Sequence, residues 1–187
     1  ACAHDGAPFA RYWLHNGFLS LDQTKMSKSL GNVLLVHNLI ESIPGEVIRL
    51  ALLSAHYRQP LDWSAETIET ARRMLDRLYG ALRGIEVPDE LRKAAEPPTA
   101  LLAALEDDLN TPKAMAELFG LARELNKTTD SDEKQRIAAS MYAAGDLMGL
   151  LQHDPEQWFA GDAEGELGSD EIEALIERDS LARLGFG

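Results

Sequence analysis

Apolar positions change rhythm once along this chain, near residue 60. Before that point they come in short runs. Phe9–Leu14 mixes aromatic and apolar residues, and Phe18-Leu19-Ser20-Leu21 comes after His15-Asn16-Gly17. Asn16-Gly17 between two β-prone runs predicts a hairpin. Thr24 to Asn32 has no periodicity, and its small polar residues predict an exposed loop. Val33–Val36 is a short apolar run. Pro44-Gly45-Glu46 opens a segment with Val47, Ile48, Leu50, Ala51, Leu52 and Leu53, apolar on most sides, which predicts a buried helix. His56-Tyr57-Arg58-Gln59-Pro60 closes it, because a residue before proline is pushed towards extended structure. Pro60–Asp62 is the candidate boundary between a first part, 1–60, and a second.

From residue 61 the spacing is three and four, and residues 61–153 read as a helix bundle. Ser64 is a candidate N-cap, with Ile68, Ala71, Leu75, Leu78 and Leu82 on one stripe behind it. Gly84–Thr99, with Pro88, Pro97 and Pro98, reads as a linker. Leu101, Leu102, Leu105 and Leu109 form a short apolar face. Thr111-Pro112 predicts a helix start, a hydroxyl cap followed by proline. Met115, Leu118, Phe119, Ala122 and Leu125 give that helix its buried face. Ser131 is the predicted cap of the next, with Ile137, Met141, Ala144, Met148 and Leu151 inward. Residues 154–187 read as an acidic tail, mobile over Gly161–Gly168, with a last short helix through Ile172, Leu175 and Ile176.

Composition narrows the class. A chain of 187 residues with 45% apolar content can bury a core without staples. One cysteine, Cys2, allows no internal disulfide and fits a reducing, cytoplasmic compartment. No run approaches the roughly 18 apolar residues of a membrane span, so no membrane partner is expected. The start, Ala1-Cys2-Ala3-His4-Asp5-Gly6, lacks both a signal pattern and an initiator Met, and reads as the interior of a larger protein. The net charge of −13 is unevenly placed: residues 1–60 are nearly balanced and the acidic excess lies in 61–187. Bulk attraction to a polyanion is therefore not expected of the second part, and any phosphate contact there must come from a local cluster.

Four features could carry chemistry. The five histidines, His4, His15, His37, His56 and His153, show no ligand spacing, and no Cys-x-x-Cys occurs, so no metal site is expected. Glu106-Asp107-Asp108 reads as a solvated helix end. Tyr12, Trp13, Tyr57 and Trp63 could stack on a base, though aromatics beside apolar runs more often fill a core. Lys25-Met26-Ser27-Lys28-Ser29 places two ammonium groups and two hydroxyls within five residues of a loop. Such a group can donate charge-assisted hydrogen bonds to phosphate oxygens. On composition alone it could equally be a soluble loop.

That loop resembles the second signature of class I aminoacyl-tRNA synthetases. Cys2–Gly6, Tyr12–Gly17, Lys25–Asn32, His56-Tyr57-Arg58 and Asp107–Pro112 resemble, in order and spacing, the cysteine-specific branch. The resemblance implies a mainly α chain. It would hold the end of a Rossmann-like catalytic domain and a connecting fold with the signature loop, followed by an antiparallel bundle of the DALR type that leans on tRNA. It implies ATP, with Mg2+, as co-substrate, and cysteine and tRNA-Cys as the other substrates. Lys28 is then expected to bind ATP phosphates during adenylate formation, with Lys25 assisting and Met26, Ser27 and Ser29 shaping the same ATP-binding loop. The family's first signature, His-x-Gly-His, and its zinc ligands are absent from these residues. Zinc is therefore expected only where the missing catalytic half is present, and Cys2 and His4 are not its ligands. The chain alone is accordingly expected to be inactive. Two alternatives share features: a ligase joining cysteine to glucosaminyl-inositol, and a non-catalytic domain that binds tRNA or a partner protein.

Overall fold

The computed structural model describes residues 10–21, 24–25 and 35–162. Three short strands form one sheet: β1 (Leu19–Leu21), β2 (Thr24–Lys25) and β3 (Leu61–Trp63), in the order β2-β1-β3. β1 pairs antiparallel with β2, Ser20 opposite Lys25. It pairs parallel with β3, Leu19 opposite Leu61 and Leu21 opposite Trp63. The hairpin therefore lies one strand later than Asn16-Gly17 predicts, and no strand forms over 10–14. The reason is tertiary. The Gly17 N–H donates to the Tyr57 carbonyl at 2.8 Å, and a Cβ at Gly17 would run into the Gln59 carbonyl. That glycine serves close backbone approach, not a turn. The candidate boundary at Pro60–Asp62 runs into β3, so the chain enters its helical region directly from this sheet.

Eight helices are described: α1 (Val36–Leu39), α2 (Gly45–Leu53), α3 (Ala65–Leu82), α4 (Asp89–Ala94), α5 (Thr99–Glu106), α6 (Thr111–Lys127), α7 (Ser131–Met148) and α8 (Pro155–Asp162). The protein is mainly helical, as expected. The apolar run Val33–Val36 ends in α1, where Val36 is exposed. Ser64 caps α3 by accepting from the Thr67 N–H, and the whole predicted stripe of α3 is buried. The linker contains α4, whose first turn is acidic and last turn basic, matching the helix dipole.

Two caps shift by one residue. Asn110, not Thr111, caps α6, accepting from the Lys113 N–H at 3.2 Å. Thr111 sits inside the first turn and turns its hydroxyl to the Ala55 carbonyl. Asp130, not Ser131, caps α7, accepting from the Glu133 N–H at 2.8 Å. In both places an amide or carboxylate oxygen just upstream of the hydroxyl reaches the orphan donor. Leu109 is exposed rather than packed. α5 has ended by then, and the chain reverses through Asp108 (φ 57°) and Leu109 (φ 54°), so Leu101 and Ala104 supply the buried face instead.

One hydrophobic core joins everything from Leu21 of β1 to Trp158 of α8. α3 is its centre, packed against α2, α6 and α8; α5 and α7 pack on α6, and α4 on α7. Gly161 and Asp162 close α8. The rest of the stretch expected to be mobile, and the helix expected through Ile172, lie outside the described residues.

Candidate functional site

Lys25 is the last residue of β2, so the sheet sets where the signature loop departs. Met26, Ser27, Lys28 and Ser29 lie outside the described residues. So do Cys2 and His4. What the structure supplies is the frame around the loop's entry.

That frame is held at two carboxylates. The first is Asp108, in the turn between α5 and α6. Its Oδ1 accepts from the Tyr57 hydroxyl at 2.6 Å and from an Arg58 terminal nitrogen at 3.0 Å, and its Oδ2 accepts from Arg58 Nε at 2.7 Å. His56 Nε2 stands 3.9 Å away. The His56 and Tyr57 rings stack, and the Arg58 guanidinium lies over the Tyr57 ring. The Arg58 bonds, followed by that of Tyr57, hold the Asp108 carboxyl down to about 2. In return the Asp108 hydrogen bond pushes the Tyr57 hydroxyl up. The same segment ties to the sheet: Gly17 N–H meets the Tyr57 carbonyl, and Leu61 N–H meets the Phe18 carbonyl at 3.2 Å. Asp108 thus connects the α5–α6 corner to the strands that launch the loop. The acid run at 106–108 is more than a solvated end, because its last member is committed to three donors.

The second carboxylate is Glu46, 7% exposed, in the first turn of α2. It accepts from the Tyr79 hydroxyl of α3, from the Leu151 N–H at 3.3 Å and from the Gln152 N–H at 2.7 Å. The His153 N–H then donates to the Tyr79 oxygen at 3.1 Å. Three successive amides therefore converge on one buried pair. Leu151 adopts φ 58° to allow it, making a backbone nest for an anion. Upstream, Gly149 takes φ 68° at the end of α7, and Leu150 N–H returns to the Gly145 carbonyl at 2.8 Å. Burial pushes the Tyr79 hydroxyl well above the usual phenol range. The sequence carries one signal for this site: an acid in the first turn of a mostly apolar helix.

The remaining candidates scatter. His15, His37 and His153 are exposed, far from any shared ligand geometry. Among the described residues no three His, Cys, Asp or Glu side chains converge as a metal site. Trp63 is core, as the packing reading has it, and Tyr57 is half-buried beside Asp108. Tyr12 and Trp13 depart from that reading; they are 84% and 66% exposed, and no strand forms over 10–14. No helix among the described residues is long and apolar enough to cross a membrane.

Comparison with known proteins places this frame. Residues 1–73 match the tRNA synthetases class I (C) catalytic domain, and residues 101–152 match the DALR domain. Both carboxylates bridge these two segments: Glu46 reaches Leu151 and Gln152, and Asp108 reaches Tyr57 and Arg58. The chain is 55% identical, over 98% of its length, to the cysteine–tRNA ligase of Parvibaculum lavamentivorans. It is 51% identical to that of Maricaulis maris, over 97% of its length, and 50% identical to that of Caulobacter vibrioides, again over 97%. It spans about two fifths of these relatives, 39%, 39% and 38% of their lengths. The chain is therefore homologous, over nearly all its length, to the part of class I cysteine–tRNA ligases that the class I (C) and DALR segments match.

Proposed function

We propose that this chain supplies the signature loop and the tRNA-facing helices of a cysteine–tRNA ligase. The observation that carries the reading is a contact. His56-Tyr57-Arg58 and Asp108, fifty residues apart and both within blocks that resemble the family, meet in one hydrogen-bonded cluster. The glucosaminyl-inositol alternative is not favoured, since the three relatives are all cysteine–tRNA ligases and a DALR segment is present. In finer detail the reading keeps a first unit over 1–60, a bundle of antiparallel helices over 61–153 and an acidic tail over 154–187. The short connection between α6 and α7, which pack on each other, supports the bundle.

In the proposed reaction a carboxylate oxygen of cysteine attacks the α-phosphorus of Mg2+-bound ATP, and pyrophosphate leaves. A hydroxyl of the terminal ribose of tRNA-Cys then attacks the adenylate carbonyl carbon, and AMP leaves. Lys28 and Lys25 neutralise charge that builds on the departing pyrophosphate, with Ser27 and Ser29 orienting the loop. Charge stabilised only as it develops lowers the barrier rather than the ground state. Zinc, expected with the family, finds no donor set among the described residues.

The test is acceptor choice. The natural polypeptide containing these residues, given cysteine and ATP, is expected to charge tRNA-Cys and to leave glucosaminyl-inositol unmodified. Transfer to the sugar but not to tRNA would overturn the reading.

A further inference from the structure

Two neighbours in the α5–α6 corner stand at positive φ, Asp108 at 57° and Leu109 at 54°. Side chains resist that backbone, so such a pair persists only where the surrounding structure holds it. Joining two helices does not demand it. α6 and α7 also pack on each other, and their connection at 128–130 has no residue at positive φ. Stability does not demand it either, since the Asp108 and Arg58 side chains are about half exposed and an ion pair there contributes little. What the strained corner achieves is to aim one carboxylate at Tyr57 and Arg58. Thr111, from the same corner, donates to the Ala55 carbonyl at 3.4 Å, so the 55–58 segment is held at two points.

From that segment a path of main-chain bonds leads to the signature loop. The Tyr57 carbonyl accepts from the Gly17 N–H at 2.8 Å, and the Phe18 carbonyl accepts from the Leu61 N–H at 3.2 Å. The two backbones lie so close that a Cβ on Gly17 would overlap the Gln59 carbonyl, so a shift of 57–59 displaces Gly17 as well. Gly17 enters β1 two residues later, and β1 pairs with β2, Ser20 opposite Lys25. The loop departs from the backbone at Lys25.

We propose that Asp108 is a positioning residue for adenylate formation: from the DALR-matched segment it fixes residues 56–58, and through them the strand pair from which the signature loop departs. It touches no substrate, and its effect passes through the backbone at Lys25. Water can replace the ion pair energetically but cannot restore its geometry. A misplacement of about 1 Å by a change far from the reacting atoms can cost about a hundredfold in rate. The inference rests on the ligase reading and gives the helical region a part in the ATP step.

The experiment is single-turnover formation of cysteinyl-adenylate by the natural polypeptide. Asp108→Asn suits the left-handed backbone but offers one acceptor oxygen where Tyr57 and Arg58 use two. It is expected to slow adenylate formation by about tenfold or more, with KM for cysteine and the urea midpoint unchanged. Arg58→Gln should slow it to a similar degree, and the double variant no further, because both break one pair. With Lys25→Ala and Lys28→Ala already in place, Asp108→Asn should add nothing. Transfer of cysteine from preformed adenylate to tRNA-Cys should keep its rate. Glu156→Gln opens the equally exposed Arg83–Glu156 pair, away from the sheet, and should leave adenylate formation as it is. An unchanged rate in Asp108→Asn overturns the inference. So does an equal loss in the lysine-free background or in the transfer step, which marks a merely structural role. If the unaltered protein forms no adenylate at all, the ligase reading fails and this inference falls with it.

Discussion

Glu46 and Asp108 do the same job under opposite conditions. Each is a carboxylate with three donors, and each joins the segment matched by the catalytic domain to the segment matched by the DALR domain. Glu46 is out of water; Asp108 is about half exposed. In the buried case every lost partner leaves an unsatisfied group, so the junction is stiff and costly to break. In the exposed case water replaces each lost bond, so an ion pair of this kind adds little to stability. Yet the chain places both Asp108 and Leu109 at positive φ to make that contact. Left-handed backbone is unfavourable there, for the leucine above all. The buried junction therefore holds the two segments together, and the exposed one sets the position of the 56–58 segment beside the sheet.

The largest expected effect tests the first half of that contrast. Glu46→Ala should lower stability by about 3 kcal/mol or more, since it strands a hydroxyl and two amides. Tyr79→Phe, which removes one member of the network, should cost about 1–2 kcal/mol. Urea unfolding followed by circular dichroism reads both, and equal midpoints for Glu46→Ala and the unaltered protein would dissolve the contrast. Asp108→Asn should leave the midpoint in place while amide exchange quickens at Gly17 and Leu61, the donors that tie 57–61 to the sheet. A midpoint shift as large as that of Glu46→Ala would make the two junctions alike.

The smallest effect is the pH dependence of Asp108. Its carboxyl falls from an ordinary 3.8 to about 2 in the folded protein. A depressed carboxylate stabilises the fold fully above its unfolded value, and that contribution fades as pH drops through the folded value. The cluster should therefore be intact above about pH 4 and loosen between about 4 and 2. Carbon-detected NMR of the Asp108 carboxyl reads this directly; titration near 3.8 would mean that the Arg58 and Tyr57 bonds do not form in solution.

Much of the helical region is legible in periodicity. The stripes of α3, α6 and α7 emerge from spacing alone, because burial on one face of a helix writes itself into the sequence. The caps at Asn110 and Asp130 escape it by one residue, since adjacent side chains compete for the same orphan amide and only geometry decides. The pair Asn16-Gly17 misleads because a glycine needed for close approach looks the same as one needed for a hairpin. Tyr57, Arg58 and Asp108 stand out as blocks of the family pattern, but their contact crosses fifty residues and no local rhythm encodes it. Glu46 leaves one odd charge as its trace; its partners, two of them backbone amides, leave none.

The proposed reaction assigns Lys28 and Lys25 to the charge that builds as pyrophosphate leaves. Single-turnover formation of cysteinyl-adenylate, measured on the natural polypeptide with Lys28→Ala, is the direct test. The predicted result is a rate lower by about a hundredfold or more, of the size seen when one preorganised donor is removed, with cysteine affinity retained. An unchanged rate in Lys28→Ala, and again with Lys25→Ala added, would contradict that role.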